Sequence, residues 1–350
     1  MSWGVDSAIA AYILKEQWYE VVAGFMKNYV SEWWNCTTYA DAQEAINVSK
    51  FLWIEIISFD LQKEYNEKII EYIYTGYKQW ITPNPDVLCN SLIKFEVFLN
   101  KAIELWFDYI ATGHYARINE LNIESWKIKG KNIYKLLRWV DYNKDQSYFL
   151  SWLNQYQLSK SLFPIWWYTK PEIRALAKKI WLPNAGRKDS QWLCFIWNIP
   201  IKEFLLKKLP IKKWNIIDTT GKILGTHEWA YFFTIGQRHG LKLPFKAYVM
   251  KTDVKKNEVI VWEKENKMLF EKTIISTWRH WIRKTYTLPT KIFAKIRYRQ
   301  EPQEATLKKN KQNEIIVTFK EKQRAIAPGQ TIVAYKDDEC IGSGIIVDHK

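Results

Sequence analysis

Glycine is scarce in this chain: 13 of 350 residues, under 4%, against an average usage of about 7%. Long apolar runs are missing as well. No stretch reaches the ~18 consecutive apolar residues that a membrane-spanning helix needs, and no signal peptide precedes the first helical pattern. Cysteine is limited to four residues at irregular spacing, with no C-x-x-C pair, which excludes a disulfide framework and points to a reducing, cytoplasmic compartment. The five histidines show no metal-ligand spacing, so a zinc site is not expected. Acidic residues are the minority charge. Fifty-two Lys and Arg face 37 Asp and Glu, for a net charge of +15, which favours a polyanionic partner such as nucleic acid.

What the chain has in excess is tryptophan, 20 residues. Several stand where an aromatic would open a strand or where a glycine would close a helix. Helical patterns run into Trp18 in "YILKEQW", Trp53 in "NVSKFLW", Trp106 in "NKAIELW" and Trp181 in "RALAKKIWLP". The residue just past a helix commonly takes the left-handed conformation, which glycine adopts freely and bulky residues do not. The doublets Trp33, Trp34 in "EWWN" and Trp166, Trp167 in "PIWWYTKPE" fall in polar turns, where paired glycines are ordinary. Tryptophan and glycine together make 33 of 350 residues, a normal glycine content. The expectation is that most of these Trp codons are UGA triplets read as glycine in the source, with Trp281 in "RHWIRK" a true aromatic.

Residues 1 to about 200 alternate helix and strand, with helices near 7–17, 39–51, 61–77, 90–105 and 170–180 and strands near 19–26, 53–59 and 107–112. That alternation predicts a parallel sheet wound with helices. From about 201 a helix leads into short segments with turn signals. After about 270 the pattern is all strand, as in a small antiparallel β-barrel of the kind that often carries RNA contacts. The boundaries expected are 1–200 for the α/β domain, 201–268 for a small central domain and 269–350 for the barrel.

The opening "MSWGVDS" reads as "MSGGVDS" with glycine at position 3. Two glycines let backbone N–H groups close on phosphate oxygens, and the helix after them points its positive end at the same place. An indole at Trp3 fills the space that phosphates need. The loop is similar to that of enzymes that cleave ATP to AMP and pyrophosphate, and it lacks the G-K-[ST] ending of a Walker loop. A strand is expected to precede such a loop, so Met1 is expected to be an internal methionine. "TPNPDVLCN" places Cys89 three residues after Asp86, just before a helix predicted to start near Asn90, where a thiol pKa falls below its free value. "RKDSQWLCFIWN" places Cys194 after a basic polar turn. Cys36 and Cys340 read as small buried apolar residues.

"SWGVDS", "GFMKNY", "TPNPDVLCNSLIKF", "DYIATGHYAR", "NKDQSYFL", "KDSQWLCFIWN", "FTIGQRHGL", "KIRYRQ" and "APGQ" occur in the order found in tRNA-specific 2-thiouridylases of the MnmA type, which the chain resembles over nearly its whole length. Trp3, Trp106, Trp139, Trp192 and Trp197 match glycines of that family. The resemblance implies an ATP-pyrophosphatase (adenine nucleotide alpha hydrolase-like) domain, a central domain and a C-terminal barrel. It implies replacement of the 2-oxygen of the wobble uridine by sulfur, with ATP and Mg²⁺. Ser2, Trp3 (as glycine), Gly4, Val5, Asp6 and Ser7 then hold the phosphates, and Met26 and Gly113 line the nucleotide. Asn84, Pro85 and Asp86 meet the flipped-out base. His114, Lys144, Asp145, Gln146, Arg297, Tyr298 and Gln330 touch tRNA. Cys194 carries sulfur as a persulfide, received from a cysteine desulfurase or a relay protein. Cys89 is the nucleophile that closes a disulfide with it, and Asp86 serves as acid or base. Two other readings stay open on the residues alone: an ATP-pyrophosphatase acting on a small molecule, and a non-catalytic tRNA-binding protein in which Trp3 is literal.

Overall fold

A computed structural model describes residues 4–28, 37–79, 81–125, 128–188, 201–209, 213–253, 256–263, 269–283, 286–312 and 314–349. Helix α1 (Val5–Glu16) leads to strand β1 (Val22–Lys27), helix α2 (Thr37–Leu52) and strand β2 (Glu55–Asp60). β1 and β2 pair in parallel, Val22 opposite Glu55 through Lys27 opposite Asp60. Helix α3 spans 62–78 with a wider turn at Asn66–Ile70, and helix α4 spans 85–104. A second parallel pair follows, β3 (Ile110–Ala111) against β6 (Ser161–Leu162). Between them lie β4 (Arg117–Ser125), β5 (Ile128–Leu137) and the short helix α5 (Gln155–Ser159); helix α6 (Lys170–Lys179) comes after β6. Parallel pairs joined through helices are the expected α/β architecture, although the expected strand 107–112 shortens to two residues.

α1 packs Val5, Ala8, Ile9 and Ile13 into a core shared with Val48, Ile165, Ile173 and Trp139. Its end, and three others, carry the conformation read from the sequence. Trp18, Trp53, Trp106 and Trp181 have φ of 66°, 54°, 66° and 58°. At each the same two bonds close the helix. Tyr19 N–H donates to Leu14 C=O and Trp18 N–H to Lys15 C=O, and the pattern recurs with Ile54 and Trp53, Phe107 and Trp106, Leu182 and Trp181. This is the Schellman closure, whose left-handed residue is usually glycine. All four indoles stand in solvent, 85 to 94% exposed.

The central unit begins with α7 (Ile201–Leu206). Its sheet has the order β8 (Ile223–His227), β7 (Trp214–Ile217), β10 (Glu258–Trp262), β9 (Tyr248–Asp253). The last unit is a closed barrel ordered β11 (Phe270–Trp281), β14 (Ile315–Arg324), β13 (Gln303–Lys309), β12 (Thr290–Lys295), β15 (Thr331–Lys336), β16 (Glu339–His349), with β16 returning to β11. The barrel is antiparallel throughout. Alternation along its strands turns Ile292, Leu307, Val317, Phe319 and Ile332 inward.

The hairpin β4–β5 reaches from the first unit to the last. It lies within the first 200 residues but adds to the barrel sheet, Leu137 opposite Glu339 and Leu136 opposite Cys340. The largest core is continuous across the units: Leu136 of β5, Phe204 of α7 and Tyr335 of β15 belong with Tyr65, Ile93 and Phe95 of the first. Among the described residues no helix is long and apolar enough to cross a membrane.

Candidate nucleotide and base site

Gly4 is extended, with φ −68° and ψ 147°, and the helix begins at Val5. The first N–H groups of α1 have no partner within the helix, and such a helix end favours an anion. Gly113, just after β3, lies against this turn. A Cβ there comes within 2.6 Å of Asp6 C and Ser7 N, so only glycine lets the two segments meet. Asp6 is fixed from two sides: Tyr115 Oη donates to its Oδ1 at 2.6 Å, and Lys170 Nζ stands 2.6 and 2.9 Å from its two oxygens.

These residues wall a cavity of about 1170 Å³. Of the expected site residues, Gly4, Val5, Asp6, Ser7, Met26 and Gly113 line it, and so do Asp86, His114, Lys144, Gln146 and Tyr298. The nucleotide and base groups therefore share one space. Sequence reading missed Lys94, Lys170, Arg174, Lys188 and Arg299, whose side chains join the same wall. Their common signal is only positive charge, which 52 residues of the chain carry. The concentration of cations in one concave wall suits a polyphosphate.

Asn84 stands at the N-cap position of α4 without a side-chain capping bond, and Pro85 occupies the first turn, a position proline suits because the missing N–H is unpaired there anyway. The helix thus begins at 85 rather than near Asn90. This corrects the placement of Cys89, which lies a full turn inside the helix and is 1% exposed. Asp86 and Asn90, four residues apart on one face, line the cavity. Asn90 Nδ2 donates to Asp86 C=O at 3.0 Å, while its buried Oδ1 accepts no hydrogen bond. Ser2, Trp3, Cys36, Trp33, Trp34, Trp192, Cys194 and Trp197 lie outside the described residues.

Asp145, expected on the tRNA side, is buried. It is 1% exposed, and its carboxylate accepts from Trp139 N–H, Ser147 N–H and Ser147 Oγ and pairs with Arg138 and Lys295. A carboxylate so enclosed and among cations already its own has no surface to offer an RNA backbone. It holds the β5 end of the first unit to β12 of the barrel. His114 is also buried, set between the rings of Phe95 and Phe163. Burial first, and the Lys94 charge second, push its pKa well below the ordinary imidazole value, so it is neutral and faces the cavity rather than the outer surface. Gln146 Oε1 accepts from Tyr115 N–H at 2.9 Å. Arg297 is exposed, and its Nη2 donates to Ala325 C=O at 2.5 Å. Tyr298 Oη donates to Lys144 C=O at 3.4 Å. Gln330 turns its amide inward, to Thr82 C=O at 2.8 Å. Among the described residues no group of three His, Cys, Asp or Glu is arranged to hold a metal ion.

Three family models match in succession. The HUP domain of a tRNA methyl transferase family covers residues 1–198, its PRC-barrel domain 202–263, and an aminomethyltransferase beta-barrel domain 271–346. Curated relatives match almost end to end. A tRNA-specific 2-thiouridylase MnmA of Karelsulcia muelleri is 43% identical over 99% of this chain and 97% of its own length. The proteins of that name from Flavobacterium johnsoniae and Bacillus subtilis are each 39% identical over 99% of this chain, and over 98% and 94% of their own lengths. The chain belongs to the tRNA-specific 2-thiouridylase family.

Proposed function

We propose that the protein installs sulfur at the 2-position of the wobble uridine of tRNA anticodons, consuming ATP. The observation that carries this reading is the single cavity in which the α1 turn, pressed against Gly113, opens beside Asp86. An uncharged uridine carbonyl oxygen is a poor leaving group. Attack of that oxygen on the α-phosphorus of ATP expels pyrophosphate and turns the oxygen into part of an AMP leaving group. The terminal sulfur of a Cys194 persulfide, or hydrosulfide freed from it, then attacks carbon 2 and AMP departs. Cys89 attacks the inner sulfur of Cys194, forming a disulfide that an external thiol must reduce before the next turnover. The target base must leave the stack to reach the cavity, which an anticodon loop permits.

Ser2, Gly4, Val5, Asp6 and Ser7 cradle the phosphates in this reading, with Met26 and Gly113 along the nucleoside. Bound Mg²⁺ would neutralise the triphosphate's charge, and Asp6 is the loop carboxylate that would hold it. Lys144, Gln146, Arg297 and Tyr298 belong to the tRNA side, and sulfur comes from a desulfurase or a relay protein. Position 3 is glycine in the native polypeptide, as are the four helix-end positions with φ above 50°. Trp139 weighs the other way: it is fully buried and its Nε1 donates to Trp166 C=O.

Cys194→Ser is the test of the sulfur route. The variant is expected to lose thiolation and keep tRNA binding. Thiolation by this variant with free sulfide excluded removes the persulfide role.

A further inference from the structure

The segment that leads into the base site has no regular structure of its own, and its backbone groups must find partners elsewhere. The barrel supplies several of them, and the central unit adds a side-chain contact. Thr82 N–H donates to Pro328 C=O at 3.2 Å. Gln330 Nε2 donates to Thr82 C=O at 2.8 Å and reaches Pro83 C=O at 3.4 Å. Between Pro328 and Gln330, Gly329 has φ 89°, and a Cβ there comes 2.8 Å from Thr82 O and 2.9 Å from Ile81 Cβ. The turn at 328–330 therefore lies flat against the loop. It is bolted to the barrel by Gly329 N–H to Ile346 C=O at 2.8 Å and Ile346 N–H to Gln330 C=O at 2.9 Å. The central unit contributes Thr234, whose hydroxyl is 3.1 Å from that of Thr82. Two residues further on, Asn84 Nδ2 donates to Tyr148 Oη, which donates to Thr331 C=O at 2.9 Å.

We infer that Gln330 and Thr234 are positioning residues of the reaction: the barrel and the central unit together set the conformation of residues 82–84, and through it the placement of Asn84 and Asp86 against the target base. This rests on the reading of Asn84, Pro85 and Asp86 as the base site. Asn84 stands at the N-cap position of α4, so any shift of the loop rotates the first turn of the helix that carries Asp86 and Cys89. In this role Gln330 acts through its bonds to Thr82 and Pro83. Activity requires all three units to be docked, and grip on tRNA by the barrel is mechanically continuous with the reacting centre.

Single-turnover thiolation of an unmodified tRNA transcript with uridine at the wobble position separates the two roles. Gln330→Ala lowers the rate at saturating tRNA by at least ~10-fold, the scale of a sub-ångström to ångström misplacement, and leaves the dissociation constant for the transcript unchanged. Gln330→Glu, the same size but an acceptor facing two carbonyls, behaves as the alanine variant. Thr234→Val, on the other unit, gives the same split, and hydrogen exchange shows loss of protection at the Thr82 amide in each. Weakened tRNA binding with a normal rate at saturation makes Gln330 an RNA contact and overturns the inference. So does a Thr234→Val enzyme with wild-type rate and unaltered exchange. Failure of the wild-type protein to thiolate counts against the base site itself and is distinct from either result.

Discussion

Trp18, Trp53, Trp106 and Trp181 hold a backbone conformation that costs an L-residue roughly 1–2 kcal/mol, and their exposed indoles recover almost none of it through burial. Replacing Trp18 or Trp106 with glycine is therefore expected to raise the stability of the recombinant chain by about 1 kcal/mol each, read from urea unfolding. Trp139→Gly is expected to do the opposite and cost at least ~3 kcal/mol, because it empties a fully packed site beside Tyr115. A loss of stability on Trp18→Gly contradicts the conformational argument. The four helix-end positions are legible in the sequence because the left-handed residue after a helix is a local property: the run of helix formers ahead of it and the strand behind it mark the place. Trp139 carries no such mark. Its neighbours Tyr115, Ile173 and Trp166 come from distant parts of the chain, so its sequence gives no hint that it is enclosed.

At the scale of elements, Asp145 joins β5 to the barrel through partners 7 and 150 residues away, Arg138 and Lys295. Lys295 is itself buried, so removing the carboxylate strands a cation. Asp145→Ala is expected to cost about 3–5 kcal/mol in unfolding free energy; a variant of wild-type stability that fails only in tRNA binding restores the surface role that the burial argues against. The motif "NKDQSYFL" marks this residue as part of a functional block but does not say which of its side chains face outward. Periodicity fails in a stretch that is neither helix nor strand. The hairpin β4–β5 is hidden for a related reason. Its strands alternate only weakly, and its attachment to β16 depends on pairing between residues about 200 positions apart. The helix of Cys89, by contrast, is visible apart from its first turn, where Pro85 takes the first position behind an Asn84 whose side chain makes no capping bond.

For the whole molecule, three histidines set an acid limit. Burial lowers the pKa of His114, His227 and His280 below the ordinary 6.5. Below 6.5, and down to the lowered folded values, the unfolded chain holds more protons than the folded one. Stability is thus fully present above pH 6.5 and declines as pH falls beneath it. Urea unfolding at pH about 7.5 and about 5.5 is expected to show that decline, and His114→Gln to lessen it; stability that is level across the window contradicts it. The continuous core through all three units predicts that they unfold together.

Nucleoside mass spectrometry of tRNA incubated with the native polypeptide, Mg²⁺–ATP and a persulfide donor tests the central claim most directly. The expected product is 2-thiouridine at the wobble position, formed only when ATP is present and matched by release of pyrophosphate. tRNA that is bound but returns with its uridine unchanged, or sulfur that enters without ATP, contradicts the claim.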